Sequence, residues 1–195
     1  MSDKVDRRTV LAAPALVAFA SATSACAQPA GQPVRSGSGT LVAYFTRSGN
    51  TRVIAGTLQR LLGADLFEIK PARPYPEDYE QNVEQARQES ERRYEPPLAS
   101  RVVDLAAYTT VFLGFPIWGG TVPPIIRSFL RGHDLSAKIL RPFITHGGYG
   151  VGDSRTVLES HARGARIEPS FVMEADQERR TLNEVTSWVD RLPKR

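Results

Sequence analysis

The chain has 195 residues, 41% apolar and 24% charged, with 14 Pro and 15 Gly, which suits one globular domain and excludes disordered or collagen-like chains. A single Cys excludes a disulfide framework, and His133, His146 and His161 lack the spacing of a zinc site. The net charge is +4, but Arg and Lys are spread along the chain instead of forming a stripe interleaved with aromatics, so no nucleic-acid partner is expected.

The N-terminus reads as an address. Asp6-Arg7-Arg8-Thr9-Val10-Leu11 precedes a short apolar run to Ala20, and Ser24-Ala25-Cys26-Ala27 supplies small residues for cleavage after Ala27. The layout, residues 1–27, is that of an export signal, and its paired arginines resemble the twin-arginine class. The alternative of an uncleaved anchor is weakened by a run about half the length of a bilayer span. A lipoprotein cut before Cys26 is a further, weaker alternative. Cleavage after Ala27 leaves no cysteine and no stable membrane span, and places the protein in the periplasm. Residues 28–39 (QPAGQPVRSGSG) have the composition of a flexible tether.

The remaining residues, 40–195, alternate between two periodicities. Thr40 to Phe45 (TLVAYF) reads as a strand buried on both faces. Val53, Ile54, Leu58, Leu61 and Leu62 then follow helical spacing. Ala64 to Ile69 is a second strand. Tyr79 to Tyr94 is highly charged, with a thin apolar stripe of Tyr79, Val83, Ala86 and Tyr94; it reads as a solvated surface helix, with a partner face as the alternative. Thr110 to Phe115 is a third strand. Pro123-Pro124 opens a helix carrying Ile125, Ile126, Phe129 and Leu130. Ile139 to Thr145 is a fourth strand despite Pro142, and Ser154 is expected to cap a helix containing Val157 and Leu158. Arg166 to Met173 is the fifth strand. The last helix starts near Asp176 and carries Leu182, Val185, Trp188, Val189 and Leu192.

Such alternation argues for a parallel sheet covered by helices on both faces, with ligands bound beyond the carboxyl ends of its strands. Three loops lie there. Thr46-Arg47-Ser48-Gly49-Asn50-Thr51 brings hydroxyls, an amide and a glycine to a helix N-terminus, where free N–H groups and the helix dipole favour an anion such as phosphate. Helix capping alone would also explain that run. Neither Gly-Lys-Ser/Thr nor G-x-G-x-x-G occurs, so triphosphate and dinucleotide loops are excluded. The second loop, Pro116-Ile117-Trp118-Gly119-Gly120, offers an aromatic face to a flat ligand, or else a Trp folded back over the sheet edge. The third, His146-Gly147-Gly148-Tyr149-Gly150, exposes backbone polar groups, with Tyr149 either a second aromatic wall or a shield from solvent. Together the loops describe a pocket for a molecule with a phosphate at one end and a flat ring at the other.

Tyr44 to Thr51, Gly114 to Trp118 and Thr145 to Gly150 resemble the flavodoxin-like family in its short-chain branch, over about Thr40 to Leu192. That resemblance implies a three-layer α/β/α sandwich around a five-stranded parallel sheet in the order 2-1-3-4-5, with flavin mononucleotide (FMN) at the switch point. Thr46, Ser48, Gly49, Asn50 and Thr51 would hold the phosphate, with Arg47 at the variable position of the motif. Pro116, Ile117, Trp118 and Gly119 would border the isoalloxazine on one side, and His146, Gly147, Gly148 and Tyr149 on the other. The implied function is electron transfer, with an NAD(P)H-dependent reductase of quinones or nitro compounds as the alternative and a scaffold without cofactor as a third. Flavodoxins are commonly acidic near the flavin, whereas Phe115–Val122 and Thr145–Gly152 contain no Asp or Glu. A less negative second reduction potential is therefore expected, together with an acidic redox partner drawn to the basic chain.

Overall fold

In the computed structural model, which describes residues 36–175 and 178–193, β1 (Thr40–Tyr44) is buried on both faces because helices cover both sides of the sheet. It pairs in parallel with β2 (Asp65–Glu68) on one side and β3 (Thr110–Pro116) on the other. Beyond β3 runs β4 (Ile139–His146), also parallel. The order β2-β1-β3-β4, with β5 (Arg166–Ile167) last, is the expected one. Parallel neighbours need crossovers, and these are supplied by α1 (Asn50–Leu62), α2 (Tyr79–Glu91), α3 (Pro124–Gly132) and α4 (Ser154–His161).

The fifth strand is divided. β5 (Arg166–Ile167) and β6 (Phe171–Glu174) both lie parallel to β4, separated by Glu168, Pro169 and Ser170. Pro169 has no N–H to give to a ladder, which breaks the strand there. The gap falls in register with Arg141 and Pro142, because Leu140 pairs Ile167 and Phe143 pairs Phe171. Pro142 thus sits where that flank of β4 has no ladder partner to lose. Glu168 fills the break, its carboxylate accepting from Arg141 Nε at 2.6 Å and pairing Arg166 at 3.1 Å.

Alternating side chains of the sheet feed two apolar layers. Leu41, Ala43, Leu113 and Phe115 pack with Ile125, Phe129 and Leu158 of α3 and α4. Val42, Tyr44, Phe112 and Phe143 pack with Ile54 and Leu58 of α1 and with Val185 and Trp188 of α5 (Glu178–Asp190). This is the three-layer sandwich, assembled by burial of both sheet faces. The expected start of α5 near Asp176 and the side chain of Leu182 lie outside the described residues, as do residues 1–35, where the export signal was read. No helix among the described residues is long and apolar enough to cross a membrane.

Two local expectations are revised. Ser154 is the first residue of α4 and is buried; Asp153 occupies the capping position, without a side-chain capping bond. On α2 the buried positions are Asn82, Ala86 and Glu89, whereas Tyr79, Val83 and Tyr94 are exposed. Glu89 can be buried here because it accepts hydrogen bonds from the Tyr75 hydroxyl at 2.8 Å and Gln85 Nε2 at 2.9 Å, whereas the Asn82 amide nitrogen is buried without a partner among the described residues.

His133, just past α3, adds a pH dependence. Its Nε2 accepts the Val102 N–H at 3.1 Å, so the ring proton sits on Nδ1, which donates to the Phe129 carbonyl at 2.8 Å. Burial, only partly offset by the Phe129 bond, holds its pKa below the ordinary histidine value of 6.5. The native state therefore binds a proton less readily than the unfolded chain. The resulting stability is complete above the unfolded pKa and is lost as pH falls through the folded one. Urea denaturation should show wild type losing stability on acidification from pH 7, and His133→Gln should flatten that loss.

Candidate functional site at the carboxyl ends of β1, β3 and β4

The chain leaves β1 at Phe45 and enters α1 through a four-residue bend. Gly49 precedes the helix with φ of 98°, and its N–H donates to Thr46 Oγ1 at 3.0 Å. Accepting that bond leaves the hydroxyl's own proton available to another acceptor. No side chain caps α1, and its first turn contains no acidic residue. Ser48 and Arg47 are exposed. The first turn itself thus sets no carboxylate against the positive potential of the helix's first N–H groups.

Arg47 turns elsewhere. Its guanidinium donates to the Glu77 carbonyl at 2.9 Å and lies 5.3 Å from the centre of the Tyr79 ring. The basic group of the bend therefore braces the connection between β2 and α2.

After β3, Trp118 and Thr121 exchange backbone hydrogen bonds of 3.1 Å in both directions. The two residues between them, Gly119 and Gly120, have φ of 56° and 77°. A two-residue turn with both centres in the left-handed region is open to glycine at little cost, which accounts for the Gly pair. The turn fixes Trp118, whose indole meets Phe45 edge to face at 5.1 Å and Tyr75 at 4.9 Å. Trp118 is half-buried against the end of β1 and forms part of an aromatic cluster. Tyr75 is tied down in turn by buried Glu89. Burial, then the neighbouring carboxylate, hold its hydroxyl well above the ordinary tyrosine range, so it remains protonated.

After β4, His146 Nδ1 accepts the Gly148 N–H at 3.1 Å, which shapes the first turn of the third loop. Tyr149 is 96% exposed, so it walls nothing in this conformation. Glu174, in register with His146 across β4 and β6, brings a carboxylate beside this loop, with Oε1 3.5 Å from where a side chain on Gly148 would begin.

The three loops are joined. The buried hydroxyls of Thr51 and Thr145 are 2.9 Å apart, linking α1 to the end of β4. The Thr145 carbonyl accepts the Ile117 N–H at 2.8 Å, linking β4 to the Trp118 loop. The Asp153 N–H donates to the Gly120 carbonyl at 3.2 Å, linking the second and third loops at their far ends. Thr46, Arg47 and Trp118 also border one cavity of about 640 Å³. The structure thus gathers the bend at residues 46–51, Pro116 to Gly119 and His146 to Tyr149 at one edge of the sheet. Three participants were not read from sequence as site residues: Thr145, Tyr75 and Glu174. Thr145 stands in the Thr145–Gly150 motif without a role of its own, and Glu174 lies one residue past the expected fifth strand.

A family model described as flavodoxin matches residues 39–192. The chain belongs to the flavodoxin family. Among solved structures, a Bacteroides eggerthii chain described as a flavoprotein is 32% identical, with 77% of this chain and 95% of that one covered and a TM-score of 0.66. A second flavoprotein, from Bacteroides uniformis, is 27% identical over 78% of this chain and 97% of its own, with a TM-score of 0.68. A flavoprotein from Lactobacillus acidophilus in complex with FMN is 20% identical over 77% of this chain and 97% of its own, with a TM-score of 0.63, and shares the fold. No curated protein matches the chain in sequence.

Flavodoxin membership places the bend, the Trp118 turn and the glycine-rich loop at the carboxyl edge that this fold uses for ligands. The donor set fits a flavin phosphate: a first helical turn without acidic residues, the Thr46 hydroxyl and the exposed Ser48. The Thr51 hydroxyl is buried and shares a hydrogen bond with that of Thr145, in which either oxygen can be the donor. That buried pair contributes about 1 kcal/mol to the seam between the loops.

Proposed function

We propose that this flavodoxin-family chain is an exported FMN protein that carries single electrons between partners. The observation that carries the reading is the bare, acid-free N-terminus of α1 hydrogen-bonded through Thr51 and Thr145 to the end of β4, from which the glycine-rich loop departs. The Lactobacillus acidophilus relative, described in complex with FMN, supports the same cofactor. When bound, FMN supplies reversible one- and two-electron chemistry. The chain's own residues do the rest. Thr46, Ser48, Gly49, Asn50 and the backbone of Thr51 hold the phosphate. Pro116 to Gly119 and His146 to Tyr149 border the ring, with Tyr149 moving from its exposed position to do so. No side chain need move a proton. The arginine pair and short apolar run of residues 1–27 support export, and a route for folded proteins permits cofactor insertion beforehand. The formal charge of +4 favours an acidic redox partner, with association weakening as salt rises.

A second reading, an FMN-dependent NAD(P)H oxidoreductase, is favoured by one observation. The connection from β2 to α2 borders the cavity at Trp118, as a substrate compartment would. Stopped-flow mixing of the FMN-loaded chain with NADPH decides between them. The carrier predicts no rapid loss of flavin absorbance, whereas bleaching within seconds supports the oxidoreductase and contradicts the carrier.

Glu174 modifies the expected potential. The two flanking loops carry no carboxylate, but Glu174 stands beside Gly148 and opposes negative charge on the reduced flavin. Glu174→Gln should raise the second reduction potential by about tens of millivolts in a spectroelectrochemical titration, the scale of one screened charge. An unchanged or lower potential would count against that electrostatic role.

A further inference from the structure

Arg127 is the fourth residue of α3, the helix that follows the Trp118 turn. Its Nη2 donates to Thr121 Oγ1 at 2.8 Å. Thr121 exchanges backbone hydrogen bonds with Trp118 in both directions, so the guanidinium is anchored on the turn that leads out of the loop assigned to the flavin ring.

The fold alone disfavours a cation at this position. The Arg127 Nε is buried and has no hydrogen-bond partner among the described residues. The one side-chain bond of the guanidinium goes to a neutral hydroxyl, and among the described residues it pairs with no carboxylate. Arg141, also drawn into the interior, shows the ordinary solution: its Nε is paired with Glu168 at 2.6 Å. The first turn of α3 contains no acidic residue, and positive potential at a helix N-terminus opposes a nearby cation. Asp153, whose N–H donates to the Gly120 carbonyl, is exposed, and Glu174 stands beside Gly148 in the third loop. Each feature costs stability: a buried donor left unmade, a charge without a counter-charge and an unfavourable helix end. A chain that breaks several local rules at one residue does so where a site requires it.

We propose that Arg127 is a positioning residue for the flavin, bracing the Trp118 turn through Thr121 and favouring the reduced, negatively charged ring through its uncompensated charge. The inference rests on the FMN reading and deepens it. Two opposed charges then set the potential, Glu174 beside the third loop and Arg127 beside the second.

The test compares wild type with Arg127→Met, Arg127→Lys and Thr121→Val. Methionine approaches arginine in helix propensity and needs no hydrogen bond, so flavin-free Arg127→Met should melt at or above the wild-type temperature. In a spectroelectrochemical titration of the FMN-loaded chains, Arg127→Met should disfavour the second electron about tenfold, which for one electron is about 59 mV. That is the effect of one unit charge about 12 Å away near a protein surface. Arg127→Lys keeps the charge and should stay within about threefold of wild type. Thr121→Val keeps the charge and loses the brace, so it should weaken FMN by about threefold or more with the potential held within the same margin. An unchanged potential in Arg127→Met overturns the proposal. So does an equal shift in Arg127→Lys or Thr121→Val, which would make the effect one of shape. Flavin-free Arg127→Met melting well below wild type also overturns it, because the guanidinium would then serve the fold. A wild-type chain that takes up no flavin overturns the FMN reading and this one together, whereas flavin uptake with equal potentials overturns this one alone.

Discussion

Gly152→Ala is expected to cost about 2–4 kcal/mol of stability and to weaken FMN binding at least about tenfold, through one contact between two loops. Gly152 has φ of 52°, and a Cβ there would stand 1.7 Å from the Gly120 carbonyl oxygen. The obstructing atom belongs to backbone, in a turn already fixed by the reciprocal bonds of Trp118 and Thr121, so it cannot rotate aside as a side chain would. Relief requires the loops to separate, which also breaks the Asp153 to Gly120 hydrogen bond. Thermal or urea denaturation reads the first loss and FMN titration the second. Gly147→Ala is the control. Gly147 has no positive φ and no atom within 4 Å of a built Cβ, so stability should change by no more than about 0.5 kcal/mol. A Gly152→Ala variant as stable as wild type would show that the two loops are not held together as described.

Ser48→Asp should separate binding from stability. Ser48 is exposed and directly precedes Gly49 at the start of α1. A carboxylate beside a helix N-terminus is favourable by about 0.3–1 kcal/mol, so the chain without ligand should be as stable as wild type or slightly more so. The same carboxylate competes with a bound phosphate. Two like charges about 4 Å apart repel by about 4 kcal/mol near a protein surface, enough to lower FMN affinity by a factor of about a hundred or more. Raising the salt should recover part of that loss through screening. Ser48→Asn keeps a polar uncharged group and should bind FMN within a few-fold of wild type. Equal affinity in Ser48→Asp would place the phosphate elsewhere.

The fold was legible in sequence wherever burial imposes a period. β1 and β3 are continuous apolar runs because both their faces are covered, and α3 follows its Pro pair with a clean apolar stripe. Legibility failed where partners are distant or polar. The buried face of α2 is Asn82, Ala86 and Glu89, and nothing local announces that Tyr75 supplies the bond that lets Glu89 be buried. The division of the fifth strand at Pro169 follows from a missing N–H, yet only the register with β4 shows that Pro142 faces the same gap. At the site, glycines and hydroxyls mark the loops because unusual dihedrals and anion contacts demand those residue types. The ties between them lie outside any local pattern: Thr51 and Thr145 are 94 residues apart. Glu174 belongs to neither loop and is brought in by β6, so the composition of the loops does not announce it.

The decisive measurement is a pair of calorimetric titrations of the flavin-free chain, one with FMN and one with riboflavin, which differ only in the phosphate. One FMN site per chain is expected, with affinity for riboflavin lower by a factor of about a hundred or more, the worth of charge-assisted hydrogen bonds at a helix N-terminus. Equal affinities for the two flavins would contradict it.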